Sequence, residues 1–141
     1  MKPIEKQIKK IVEKGSSEDA FLLSVSFKEA RTKEIFEVIS ENVDQSFQAI
    51  RMIPEAYLHP CIIEKVITVA RFARFVVDNF EIHRNEKIFM AAIGKDKNWA
   101  AFYLRKFNLS YTWLDELLKI DATFPSEKIR DENTNHDVSL P

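Results

Sequence analysis

Residues 72–82 read FARFVVDNFEI and residues 99–109 read WAAFYLRKFNL, so the second stretch repeats the first after a shift of 27 residues. Phe80 aligns with Phe107 without a gap. The other identical pairs are Ala73 with Ala100, Phe75 with Phe102, and Ile93 with Ile120. Each copy predicts a helix that ends at the phenylalanine, then a short polar link and a second helix.

With looser spacing, the same pattern extends toward the N-terminus. One further unit begins at Phe47 and has its link at residues 58–60. A weaker unit runs from Phe21 to Ile39, with Phe27 in the position of Phe80. The chain therefore predicts up to four helix-link-helix units within residues 16–120.

The apolar residues follow helical spacing along most of the chain. We predict a first helix at about residues 3–14 and a second at 18–27, with a strand at 21–27 as the alternative. The predicted caps are Ser16 or Ser17, Thr32, Asp44, Asn85, Asp96 or Asn98, and Ser110 or Thr112, with Pro60 starting a helix and Gly94 ending one. The long apolar run after Pro60 is expected to break near Thr68 to Ala70. Because no hairpin turn signal occurs, the predicted fold class is all-α.

At class level, residues 18–120 resemble the tandem helical-repeat proteins, the α-solenoids. That resemblance implies helix pairs that stack and cover one another's apolar faces. The lysine-rich segment 1–15 suits a terminal capping helix, whose outer face must be polar. An irregular helical bundle is the alternative architecture, since the ankyrin and tetratricopeptide signatures are missing.

We expect one helical domain over residues 1–120 and a polar, flexible tail over 121–141. The tail has lost helical periodicity, and its few apolar residues provide little to dock. The predicted core consists of Phe36, Ile39, Ile50, Ile63, Ile67, Phe75, Phe80, Phe89, Ile93, Phe102, Phe107 and Leu117.

Composition excludes several classes of protein. The chain has 141 residues with 21 basic and 22 acidic side chains, which argues against a polycation or a disordered chain. One cysteine excludes an internal disulfide and a cysteine-based zinc site, and two glycines leave no room for a glycine-rich phosphate loop. The N-terminus lacks a signal-like apolar stretch, and no apolar run is long enough to span a bilayer. We therefore expect a cytoplasmic protein without a cofactor.

Few residues predict chemistry. His59 and His83 lie in links, and their spacing does not suit a metal-binding helix. Cys61 follows Pro60 at a predicted helix start, with His59 as a possible base, but we interpret it as a core or neutral residue. The acidic ridge of Glu34, Glu37 and Glu41 is typical of a solvated helix face. We predict neither catalytic nor metal-ligating residues.

The charge pattern is more informative. Residues 1–14 carry a net charge of +3 and residues 69–120 carry +3, whereas 15–68 carry −4 and 121–141 carry −3. Segments of alternating sign favour contacts with another protein. Arginine and aromatic residues, which are enriched in binding hot spots, are interleaved in the second half. We predict a protein-binding surface formed by Arg74, Arg84, Tyr103, Arg105, Tyr111 and Trp113.

The favoured hypothesis is a non-catalytic protein interaction module: an adaptor, a chaperone-like binder or an inhibitor of a larger protein. One alternative is a nucleic-acid-binding protein that uses the basic segment 69–120, although the pI of about 6.3 weakens it. Another is an enzyme with an unrecognised site. We expect a protein partner and no membrane; a homo-oligomer is compatible with the sequence.

Overall fold

In a computed structural model, residues 2–109 are described, and this part of the chain forms eight α-helices and three short 3₁₀ turns without a strand. The α-helices are α1 Pro3–Lys14, α2 Ser17–Ser26, α3 Lys33–Ile39, α4 Val43–Met52, α5 Pro60–Val66, α6 Ala70–Asn79, α7 Glu86–Ile93 and α8 Lys97–Lys106. The 3₁₀ turns are Lys28–Ala30, Ala56–Leu58 and Glu81–His83. The all-α prediction is confirmed.

Side-chain caps set most helix starts, as the sequence predicted. Ser16, Thr32 and Asn85 each accept a hydrogen bond from the backbone three residues on, and Asp96 accepts one from Asn98. The predicted cap of α4 was wrong. Its cap is Asn42, whose side-chain oxygen accepts a hydrogen bond of 2.9 Å from the Gln45 amide.

Residues 21–27, for which a strand was the alternative prediction, are helical as far as Ser26. Within α2, the buried Ser24 hydroxyl donates to the Ala20 carbonyl at 2.8 Å. This bond satisfies a polar group that would otherwise weaken a buried helix. The chain becomes extended only at Phe27, which ends α2.

The long apolar run after Pro60 breaks where the sequence predicted. Helix α5 ends at Val66 and α6 begins at Ala70, while the Thr68 hydroxyl donates to the Lys65 carbonyl at 2.6 Å. The boundary between two compact units, Met1–Thr68 and Val69–Pro141, also falls here. We call them unit 1 and unit 2. Within the described residues, unit 1 holds α1–α5 and unit 2 holds α6–α8. The single domain over 1–120 stays a prediction, and the tail at 121–141 lies outside the described residues.

Three described helix pairs are each joined by a 3₁₀ turn: α2 with α3, α4 with α5, and α6 with α7. The first helices of these pairs and α8 start after Ser16, Asn42, Val69 and Asp96, at intervals of 26 or 27 residues. The fourth residue after each cap is small and fully buried: Ala20, Ser46, Ala73 and Ala100. The position four residues further on is also buried in every case: Ser24, Ile50, Val77 and Leu104.

The second helices of the pairs share a buried face as well. Its equivalent positions hold Ile35, Ile62 and Ile88; Phe36, Ile63 and Phe89; and Ile39, Val66 and Ala92. The same local pattern of burial thus appears in both units. It is compatible with a helical-repeat class of protein.

The predicted core is partly correct. Phe36, Ile39, Ile50, Ile63, Phe89 and Ile93 are buried. Ile67, Phe75, Phe80, Phe102 and Phe107 are only half-buried, and Leu117 lies outside the described residues. Phe80 and Phe107 end α6 and α8, as the sequence predicted, but a residue at a helix end is covered on fewer sides than one in mid-helix.

We expect Phe89→Ala to lower the free energy of unfolding by about 3–5 kcal/mol, because its ring is 1% exposed and packs edge-on against Tyr103 and Phe107. The control is Ile82→Ala, which removes a side chain that is 64% exposed and should change stability by less than about 0.5 kcal/mol. Urea denaturation measures both. Equal losses would contradict the assigned core.

Candidate functional site

The predicted binding surface falls in unit 2. Arg74, Arg84, Tyr103 and Arg105 are described there, whereas Tyr111 and Trp113 lie outside the described residues. The four described residues differ sharply in environment.

Arg84 folds back over the end of α6. Its Nε donates to the Val77 carbonyl at 2.8 Å, and one terminal nitrogen donates to the Asp78 carbonyl at 3.2 Å. These carbonyls lie in the last turn of α6, where helix oxygens lack an intrahelical partner. The guanidinium carbon also lies 4.6 Å from the ring centre of Phe107. The N–H groups of Arg84 thus cap the end of α6, while its guanidinium lies over the ring of Phe107.

Arg31 makes the same contact in unit 1. Its Nε donates to the Ser24 carbonyl at 2.8 Å and a terminal nitrogen reaches the Val25 carbonyl at 3.4 Å. Each arginine follows its helix-ending phenylalanine, Phe27 or Phe80, by four residues. Sequence reasoning missed Arg31, although this shared spacing was a usable signal.

Arg74 joins two helices of unit 2. One terminal nitrogen donates to the Ala92 carbonyl near the end of α7 at 3.0 Å. The guanidinium carbon lies 4.5 Å from the ring centre of Trp99 in α8. Arg74 is therefore held by a hydrogen bond and a cation–π contact.

The sequence analysis placed Tyr103 in the binding surface, but its side chain is 0% exposed and belongs to the core. Its ring stacks between Trp99 and Phe107, with ring-centre distances of 5.6 and 5.8 Å. The repeat places it at the position of Val76, which is also fully buried, and this was the signal for a core role. Within residues 2–109, its hydroxyl has no hydrogen-bond partner.

Burial raises the pKa of the Tyr103 phenol far above its usual value, and the nearby charge of Asp78 acts in the same direction. Arg74 opposes this shift with a smaller effect. The neutral phenol is therefore the form that the fold accommodates.

Exposed cations surround these rings. Arg71, Arg84, Arg105 and Lys106 are exposed, and Arg71 stacks on Phe72 at 4.6 Å. The ammonium of Lys106 lies 5.3 Å from the ring centres of both Phe102 and Phe107 and pairs with Asp78 at 3.4 Å. Residues 69–109 hold eight basic and four acidic side chains. We call Arg71, Arg74, Arg84, Arg105 and Lys106 the basic–aromatic surface.

His59 occupies the corresponding position in the second helix pair of unit 1, where Arg31 and Arg84 stand in the other two. Its ring stacks on Phe36 with the centres 4.1 Å apart. Burial lowers the pKa of His59, and the charge of Glu55 opposes the shift with a smaller effect. Burial therefore favours the neutral imidazole.

A cavity of about 340 Å³ opens beside this histidine, and we call it the His59 cleft. It is lined by Lys28, Arg31, Phe36, Pro54, Glu55 and His59. Glu55 has a φ of 69°, in the left-handed region that non-glycine residues seldom occupy.

A larger groove of about 510 Å³ lies along α1 and α2 in unit 1. Its walls include the stems of Lys10 and Lys14 and the exposed side chains of Leu22 and Phe27. Its apolar and basic groups spread along an open trough.

The other residues that the sequence analysis considered for chemistry form no reactive or metal-binding group in the described part of the chain. Cys61 is half-buried, and Glu34, Glu37 and Glu41 are exposed along α3 and its end. No group of three metal-ligating side chains occurs among residues 2–109. In the same range, no helix is long and apolar enough to cross a bilayer.

Comparison with known proteins adds no assignment: no family model, curated protein or solved structure matches this chain.

We expect Tyr103→Phe to leave stability unchanged or raise it by up to about 1 kcal/mol, since it removes a buried hydroxyl that lacks a partner. The pH dependence sharpens the test. The folded state raises the phenol pKa, so the unfolded chain loses this proton first and wild-type stability should fall as pH rises above 10. Urea denaturation at pH 8 and pH 10.5 should show a smaller fall for Tyr103→Phe. Identical pH dependence would contradict the assignment.

We expect Glu55→Gly to raise the free energy of unfolding by roughly 1 kcal/mol, because glycine adopts a positive φ without strain. The matched control is Glu29→Gly in the first 3₁₀ turn, where no positive φ occurs and stability should fall. Thermal and urea denaturation measure both. A loss of stability in Glu55→Gly would show that its backbone is not strained.

Proposed function

We propose that the protein is a non-catalytic interaction module of the helical-repeat class, which binds an acidic surface of another protein through the basic–aromatic surface of unit 2. The single observation that carries this proposal is the fixed placement of its guanidinium groups. Arg74 is held by one backbone carbonyl and Arg84 by two, and each guanidinium also lies over an aromatic ring. The recurring burial pattern of the helix pairs supports the repeat class.

Fixed arginines suit protein recognition. A flexible arginine loses side-chain entropy when a partner immobilises it, and this cost weakens binding. Arg74 and Arg84 have already lost much of that freedom within the fold. Arginine still has further N–H groups after two are used, and these can form forked bonds with a carboxylate.

The same contacts disfavour binding of single-stranded nucleic acid by base stacking. Such binding needs open aromatic faces on which successive bases can lie. Guanidinium groups cover faces of Trp99 and Phe107, and Lys106 lies near Phe102. Tyr103 is buried. The remaining cations can contact phosphates, so nucleic acid stays an outcome of the test below.

We propose no catalytic step at this surface. Its side chains are arginines and one lysine, and none is a nucleophile beside a base. The same chemistry favours recognition of a carboxylate-rich partner over turnover of a substrate.

The test replaces Arg71, Arg105 and Lys106 together by alanine and captures partners by affinity purification from the native host, with and without nuclease. The matched control replaces Lys9, Lys33 and Arg51, which are exposed cations of unit 1 and give the same change in charge. We expect the control to retain a protein that the unit 2 variant loses, with at least a tenfold difference in affinity.

Thermal melts confirm that both variants are folded. Equal loss of the partner in both variants would contradict the proposed surface. Capture that disappears with nuclease treatment would replace the proposal with the nucleic-acid hypothesis.

A further inference from the structure

The second helix pair of unit 1 departs from the pattern that the other pairs follow. After Phe27 and Phe80, the 3₁₀ turn begins at the next residue. After Ile53, Pro54 and Glu55 intervene before the turn at Ala56–Leu58.

This departure has two costs. Glu55 takes a left-handed backbone conformation, and His59 replaces the arginine that bonds to helix carbonyls in the other two pairs. Costs of this kind persist in proteins mainly where they serve a site. Both costly residues line the His59 cleft.

The polar groups of the cleft can form further hydrogen bonds and ion pairs. Within residues 2–109, Lys28 and Glu55 form no ion pair, and neither ring nitrogen of His59 has a hydrogen-bond partner. Arg31 uses two of its N–H groups on the carbonyls of α2, so its orientation is fixed while other N–H groups stay available. Two cations, one carboxylate and a neutral imidazole thus line one small cavity.

We propose that the His59 cleft binds a small zwitterion that carries a carboxylate, an ammonium group and an apolar side chain, as an α-amino acid does. Lys28 and Arg31 bind the carboxylate. Glu55 binds the ammonium, and the neutral His59 can accept a further hydrogen bond from it. The apolar side chain lies against Pro54 and the stacked rings of His59 and Phe36.

The charge balance favours this ligand class over a simple anion. A phosphate would meet the two cations but would also face the carboxylate of Glu55 across a cavity of about 340 Å³. A zwitterion offers an opposite charge to each group. The cavity volume also suits a ligand of this size.

L-Phenylalanine is the probe for the test, and 3-phenylpropanoate and phenethylamine each lack one of its two charged groups. Two-dimensional NMR titration of the full chain follows the backbone and imidazole signals. We expect phenylalanine to saturate with a dissociation constant of roughly 0.1–10 mM, shifting signals around the cleft, and each analogue to bind at least fivefold more weakly.

Variants of the cleft then test which residue binds each charged group of the ligand. Glu55→Gln should weaken phenylalanine binding at least fivefold, whereas 3-phenylpropanoate should bind as tightly as before or more tightly, because the variant removes a like charge. Lys28→Met should weaken both carboxylate ligands. The control Glu29→Gln removes the same charge from a neighbouring exposed residue that does not line the cleft, and binding should stay unchanged.

Absence of saturation at 50 mM phenylalanine would overturn the proposal. Equal binding of phenylalanine and phenethylamine, or unchanged phenylalanine binding in Glu55→Gln, would do so as well. These readouts all concern unit 1, so they are independent of the partner proposed for unit 2.

Discussion

An arginine that folds back onto the preceding helix is the interaction on which two of the three described helix pairs depend. A helix that ends in a sharp turn leaves carbonyl oxygens without partners, and these must be satisfied when the turn is packed against protein. Arg31 and Arg84 each provide two N–H groups to such carbonyls from the far side of a 3₁₀ turn. The link is then short enough for the next helix to start at a side-chain cap, Thr32 or Asn85.

The same contact connects fold and proposed function. Because Arg84 is held by α6 and by the ring of Phe107, its charge is displayed at a fixed position on unit 2. In the second helix pair of unit 1, His59 stands where an arginine is expected, and a cleft lined by charged groups lies beside it. The proposed surface of unit 2 therefore contains a folded-back arginine, and the proposed cleft of unit 1 lies where His59 replaces one.

Much of the fold could be predicted from local signals. Gly94 ends α7 at a φ of 59°, and Pro60 begins α5, because each residue restricts the backbone in a way the sequence shows directly. The 27-residue shift placed Phe80 and Phe107 correctly at helix ends. It did not predict their half-burial, since coverage of a helix end depends on packing between elements that are distant in sequence.

The candidate sites were harder to predict. Tyr103 reads as a hot-spot residue by type, and only its alignment with Val76 indicated the core. Arg84 reads as a free cation, but its hydrogen bonds to carbonyls cannot be deduced from charge patterning. The His59 cleft is lined by Glu55 in a left-handed conformation. The sequence does not predict this conformation, because the residue is neither glycine nor asparagine.

The most direct measurement compares the unfolding free energies of Arg31→Gln, Arg84→Gln and Arg71→Gln. Arg71 also stacks on a ring at 4.6 Å, but within residues 2–109 it makes no hydrogen bond to a helix carbonyl. If the folded-back arginine holds its own helix pair together, Arg31→Gln and Arg84→Gln each lose about 1–3 kcal/mol, whereas Arg71→Gln loses less than about 0.5 kcal/mol. Equal small losses in all three variants would contradict this account.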